Sequence, residues 1–91
     1  MNGTVYLIHF DRPYKHARHY IGWALGRDID KRMAKHRSGT GARLLRVLKE
    51  QGIGWSVVQT WPDATRKVER KLKNRGACRI CPVCTGKLEL S

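Results

Sequence analysis

The chain is short of acids, of cysteines and of long apolar runs, and each shortage narrows what it can be. Seven Asp and Glu face 19 Lys and Arg, a formal charge of +12 over 91 residues. An imbalance of that size speaks to partners rather than to fold, and it points to nucleic acid or an anionic membrane surface. No apolar run approaches a membrane span, and no N-terminal stretch has the charged and apolar regions of a signal peptide. The stretch 42–51 comes nearest to a lipid-lying helix and reads better as a core helix, so nucleic acid is the expected partner. The three cysteines all fall within 78–84 and are odd in number. They do not form the framework of a disulfide-stapled secreted domain, and a reducing, cytoplasmic setting is expected. There is no repeat, no low-complexity segment and no pattern of a base-reading helix or zinc finger. The length suits one domain with one core, here residues 1–76, followed by a cysteine-containing tail, 77–91, packed on the domain or trailing it.

What is present alternates between strand and helix signals. Residues 4–10 are rich in β-branched and aromatic side chains and predict a strand, broken by Asp11-Arg12-Pro13. A polar loop leads to a second strand over about 18–23, and the two pair most simply as an antiparallel hairpin. Asp28 caps a helix running to about Arg37, and Thr40 caps another over 42–51, which ends at Gly52. A third strand over 55–61 stops at Pro62, and Asp63 caps a last helix running to about Arg75. The expected fold is α+β, order ββααβα, with a small three-stranded antiparallel sheet flanked by helices.

Several residues carry chemistry. Tyr6 and Tyr20 fall on the paired strands and can face one pocket; each also suits a half-buried strand position. Arg32 and His36 are four apart, so they share one helix face. A guanidinium there can hold a phosphate bidentately, and an imidazole can orient water. Glu69 is a lone carboxylate among Arg66, Lys67, Arg70, Lys71 and Lys73. It either pairs with a neighbouring cation on the surface or ligates a divalent metal. Lys15, Arg43, Arg46, Lys49, Lys71, Lys73 and Asn74 are candidates for contact with the phosphate backbone, with Arg75 beside them. Trp55 and Trp61 suit the core better than base stacking. Cys78, Cys81 and Cys84 have the two-residue spacing of metal-ligand pairs. They lack a local fourth ligand, which a histidine folding back could supply. Free, partly buried thiols are the simpler expectation and structural Zn²⁺ the alternative.

Taken in order, these residues resemble the GIY-YIG nuclease superfamily in its stand-alone, single-domain form. Tyr20-Ile21-Gly22 matches the second motif, and Thr4-Val5-Tyr6 is similar to the first with Thr in place of glycine. Arg32 and His36 on the first helix and Glu69 on a later one occupy the family's remaining positions. The likeness spans about residues 3–75 and extends to the catalytic modules of certain repair nucleases and homing endonucleases. It implies a metal-dependent endonuclease that hydrolyses DNA phosphodiesters, with one Mg²⁺ or Mn²⁺ on Glu69 and Arg32 on the scissile phosphate. Tyr6 is the family's candidate general base, with Tyr20 and His36 orienting or activating the water, and His36 is a rival base. A phenol, with an unperturbed pKa near ~10, serves as a base only if its surroundings lower that value. The stretch between the tyrosines is longer than the family's usual one and is a candidate substrate-contacting loop. Recognition is expected to follow DNA backbone or structure rather than sequence, with a protein partner as one source of specificity. Two other readings stay open: a module on the same fold that binds nucleic acid without cutting, and an accessory protein whose basic face meets an acidic partner.

Overall fold

A computed structural model describes residues 2–86. The elements run β1 (Gly3–Tyr14), β2 (Ala17–Leu25), α1 (Asp30–Ser38), α2 (Arg43–Glu50), β3 (Trp55–Ala64), α3 (Arg66–Arg75) and α4 (Ala77–Ile80). This is a small α+β domain whose antiparallel sheet has the order β2-β1-β3. The order ββααβα read from the sequence gains a final short helix. Gly76, at φ 90°, breaks α3 and turns the chain, and Ala77 and Ile80 then pack under the sheet. That part of the tail is therefore seated on the domain. Cys81 is fully buried, while residues 87–91 lie outside the described ones.

Both prolines expected to end a strand sit inside one, for reasons of sheet context. The β1–β2 ladder is irregular between His9 and Tyr14, so Pro13 meets no demand for an N–H there. Asp11 N–H instead donates to Gly54 O at 2.9 Å, and Arg12 Nη2 to Gln51 O at 2.9 Å. The supposed loop is thus a hairpin extension closed by the tight turn Lys15-His16, with Lys15 at φ 54°. Pro62 lies on edge strand β3, in a register shift where one β1 residue, Thr4, faces two of β3, Pro62 and Asp63. Asp63, at φ 56°, stays in the strand and binds Arg27 through both carboxylate oxygens, at 3.2 and 2.6 Å, rather than capping α3. Asp28 does serve the start of α1: its Oδ1 accepts the N–H of Asp30, the first residue of the helix, at 3.0 Å, with Ile29 at the N-cap position between them. Thr40 bonds back to Ser38 and Lys35 and leaves α2 without a side-chain cap.

Strand periodicity divides the core. Tyr6, Ile8 and Phe10 point to one face and pack with Leu45, Leu48, Ile53 and Trp55 beneath α1 and α2. Val5 and Leu7 point to the other and pack with Ile21, Ala64, Leu72 and Cys81 against α3 and α4. Central strand β1 is covered on both sides, which accounts for its nearly continuous apolar run. Leu7, Ile8, Leu45 and Leu48 have no exposed surface, and each such burial contributes roughly 1.5–3 kcal/mol. Among the described residues no helix is long and apolar enough to cross a membrane.

Candidate functional site

Tyr6 pairs with Gly22 across the ladder, and Ile8 with Tyr20, so both tyrosines face the α1–α2 layer with ring centroids 6.2 Å apart. Gly22 is what permits this. A Cβ there would collide with the Tyr6 ring and hydroxyl, so the glycine of Tyr20-Ile21-Gly22 is the bed on which the Tyr6 ring lies. His36 completes the group, its ring 5.8 Å from Tyr6 and 5.7 Å from Tyr20. Both Tyr6 and His36 are wholly buried, whereas Tyr20 is half-buried.

Two contacts fix the His36 ring. Ala42 N–H donates to Nδ1 at 3.2 Å, and Nε2 lies 2.8 Å from the Tyr6 hydroxyl. A neutral imidazole whose Nδ1 accepts carries its proton on Nε2, so His36 is the donor and the Tyr6 oxygen the acceptor. Burial, with the Arg32 guanidinium adding to it, lowers the His36 pKa from 6.5 to about 4, which keeps the ring in that neutral form. Gly41 is required beside it, because a Cβ would strike Nδ1. Burial raises the Tyr6 phenol, and the nearby Arg32 guanidinium offsets this only in part. The phenol read from the sequence as a base is therefore an enclosed one, held above its ordinary value among these side chains. Arg32 is itself raised, first by hydrogen bonding to Tyr6. Its Nε is shielded from water and has no hydrogen-bond partner among the described residues.

Glu69 comes from the opposite layer. Its side chain is 19 % exposed, with Lys73 Nζ at 3.9 Å, and its charge raises the Tyr6 phenol. Arg32 lines a pocket with Ala24, Leu25, Asp28, Lys31 and Lys35, and a different one opens farther back along the free edge of β2. A cleft of about 280 Å³ there is lined by His19, Tyr20, Ile21, Lys73 and Ala77. Tyr20 is thus the phenol that borders this cleft, and neither Arg32 nor Glu69 is among the residues lining it.

The basic residues do not share one surface. Arg43, Arg46 and Lys49 are exposed on α2, and Lys71, Lys73 and Asn74 on α3, across the sheet. Arg46 Nε lies 3.9 Å from Glu50, and Lys49 donates to Ser38 O at 3.2 Å. Lys15 sits at the hairpin tip with its ammonium 5.5 Å from the Tyr14 ring centre. Trp55 is buried and carries the Arg37 guanidinium over its face at 4.1 Å, while Trp61 is half-buried against the α3–α4 side of the core.

A second cluster lies on the α3–α4 face. His9, His19, Cys81 and Cys84 bring four ligand atoms within 4.8 Å of one another. Of the three cysteines read from their spacing, Cys81 and Cys84 join it. Cys78 stays outside, its sulfur 3.8 Å from that of Cys84, because α4 ends between Cys78 and Cys81 and turns the later two toward the hairpin. A histidine folding back was expected as a ligand, but that two take part, and that they are His9 and His19, was not legible. The available signal was that His9 and His19 fall on the same face of a predicted hairpin, directly opposite one another. Compared with known protein families, curated proteins and solved structures, the chain matches none.

Proposed function

We propose that the chain is a GIY-YIG-type endonuclease that hydrolyses DNA phosphodiesters at the β2-edge cleft. The observation that carries this reading is the buried, unpartnered Nε of Arg32 beside the Tyr6–His36–Tyr20 group. An orphaned guanidinium nitrogen in a native interior calls for an acceptor, and a phosphate oxygen is the natural one.

The donor set fits one hard divalent cation. Glu69 is a sheltered carboxylate one helical turn from Lys73, which borders the cleft, and Mg²⁺ binds substrate phosphates through one or two carboxylates and retained waters. Bound there, Mg²⁺ or Mn²⁺ would supply charge stabilisation to the phosphate oxygens. The chain's own groups do the rest. Arg32 holds the scissile phosphate and offsets the negative charge that grows in the transition state. Tyr20, the phenol with access to the cleft, orients the attacking water through its hydroxyl. Tyr6 and His36 act behind it, keeping Arg32 and Tyr20 in place. Lys73 balances Glu69 in the resting protein and turns to the DNA backbone when substrate enters. The surplus of positive charge supports backbone recognition, and the absence of a base-reading element supports structure over sequence as the target.

The deciding experiment is cleavage of duplex, nicked, flap and branched DNA with Mg²⁺ or Mn²⁺, beside an EDTA control, Glu69→Gln and Arg32→Ala. Metal-dependent cutting lost in both variants, with DNA binding kept in Glu69→Gln, is the expected result. Binding without cutting on every substrate would return the chain to the non-cleaving, nucleic-acid-binding reading.

A further inference from the structure

We infer that His9, His19, Cys81 and Cys84 form a closed tetrahedral Zn²⁺ site that staples the segment after α4 to the β1–β2 hairpin. The inference is independent of the nuclease reading. Its residues lie on the α3–α4 face, away from the Tyr6–His36 pair, with His19 also bordering the β2-edge cleft, and its thiolate and imidazole donors are softer than the Glu69 carboxylate.

The geometry is that of a metal polyhedron. The measured separations are His9 Nδ1 to His19 Nε2, 3.1 Å; Cys81 Sγ to His9 Nδ1, 3.5 Å; Cys84 Sγ to His9 Nδ1, 3.9 Å; and Cys84 Sγ to His19 Nε2, 3.4 Å. A tetrahedron with Zn–S of ~2.3 Å and Zn–N of ~2.0–2.1 Å has edges of roughly 3.3–3.8 Å. Four of the six edges, at 3.1–3.9 Å, lie near those values, and the other two are within 4.8 Å.

Hydrogen bonding alone leaves the cluster unexplained. His9 Nδ1 faces one imidazole nitrogen and two sulfurs, and a ring nitrogen makes one hydrogen bond, as donor or acceptor. A cation at the centre satisfies all four groups at once. The sequence prepares the site from two directions. His9 and His19 are directly opposed on the hairpin, with ring centroids 5.0 Å apart. Cys81-Pro82-Val83-Cys84 is a two-residue-spaced pair folded back by Thr85, whose N–H and hydroxyl both donate to Cys81 O, at 3.0 and 2.9 Å. With four protein ligands no position is open for substrate, so the site is structural. Cys78 is a neighbour of the site and not a ligand.

The test uses the full chain, made without a histidine tag, loaded with Zn²⁺, desalted and assayed for metal per chain. Co²⁺ loading is followed in parallel by its visible spectrum. One zinc per chain in wild type and in Cys78→Ser, a near-complete loss in Cys84→Ser and His19→Gln, and an intense tetrahedral thiolate–Co²⁺ spectrum are expected. Cys84 is exposed, so its replacement spares the core. Should that variant still fail to fold, the wild-type stoichiometry and Co²⁺ spectrum decide. Folded wild type that retains far less than one zinc, or an octahedral Co²⁺ spectrum, overturns the site. Equal loss in Cys78→Ser and Cys84→Ser overturns this ligand set in favour of three cysteines.

Discussion

The Tyr6 hydroxyl accepts a hydrogen bond from His36 Nε2 at 2.8 Å, and the direction of that bond is dictated from the far side of the ring by Ala42 N–H. A backbone amide at the start of α2 therefore sets the protonation of an imidazole on α1, which in turn orients a phenol on β1. Replacing Tyr6 by Phe keeps the ring and strands a buried donor on His36. The expected cost is ~1–3 kcal/mol, read as a lower urea midpoint. An unchanged midpoint would show that the bond is not made.

The same histidine gives stability a pH dependence. In the unfolded chain its pKa is near the ordinary 6.5, and in the folded chain about 4. Between those values the unfolded state binds the extra proton, so acid favours unfolding. His36 thus contributes stability that is complete above pH 6.5 and is lost as pH falls toward 4, at up to about 1.4 kcal/mol per pH unit. Urea titrations of wild type and His36→Gln across this range should differ in slope by that amount. Parallel curves would place the His36 pKa near its ordinary value.

Two glycines are set by neighbouring rings and not by turns. Gly22→Ala pushes a methyl into Tyr6, and Gly41→Ala pushes one into His36. Overpacking of this kind costs ~1–3 kcal/mol. Both variants should lose thermal stability, and any cleavage activity should fall further than stability does, because the displaced groups support Arg32 and Tyr20.

If Tyr20 is the phenol that meets water, Tyr20→Phe should lower the cleavage rate by ~10²–10⁴ with little change in DNA affinity. Tyr6→Phe should act on stability first. A larger rate loss in Tyr6→Phe, at matched stability, would restore the enclosed phenol as the base. Single-turnover rates on one substrate distinguish the two.

Lys73 borders the β2-edge cleft, and Arg43 lies across the sheet on α2. Lys73→Ala should reduce the slope of log affinity against log salt by ~0.9, the share of one phosphate contact, and Arg43→Ala should leave it unchanged. The reverse pattern would move the DNA path to the α2 surface.

The three strands, the first three helices and the placing of Tyr6 and Tyr20 on neighbouring strands were legible because each rests on local pattern. Pro13 and Pro62 misled for a tertiary reason. Whether proline ends a strand depends on an edge or a bulge, and neither is written in the residues around it. The caps at Thr40 and Asp63 failed similarly, since each side chain found another partner once the chain had folded. The His9–Cys81 contact spans 72 positions, a separation at which local spacing carries no signal. The three cysteines and a histidine to join them were readable, but which two cysteines and which two histidines meet was not.

Strand β1 alternates between two tasks, with Tyr6 facing the His36 layer and His9 facing the cysteines. A slip of one residue in its pairing would exchange those faces, putting Tyr6 among the thiols and His9 beneath α2. No misregistered chain could retain half of its equipment. The molecule either folds in one register with both centres assembled or has neither, so a functional assay of this protein doubles as a proofreading assay of its fold.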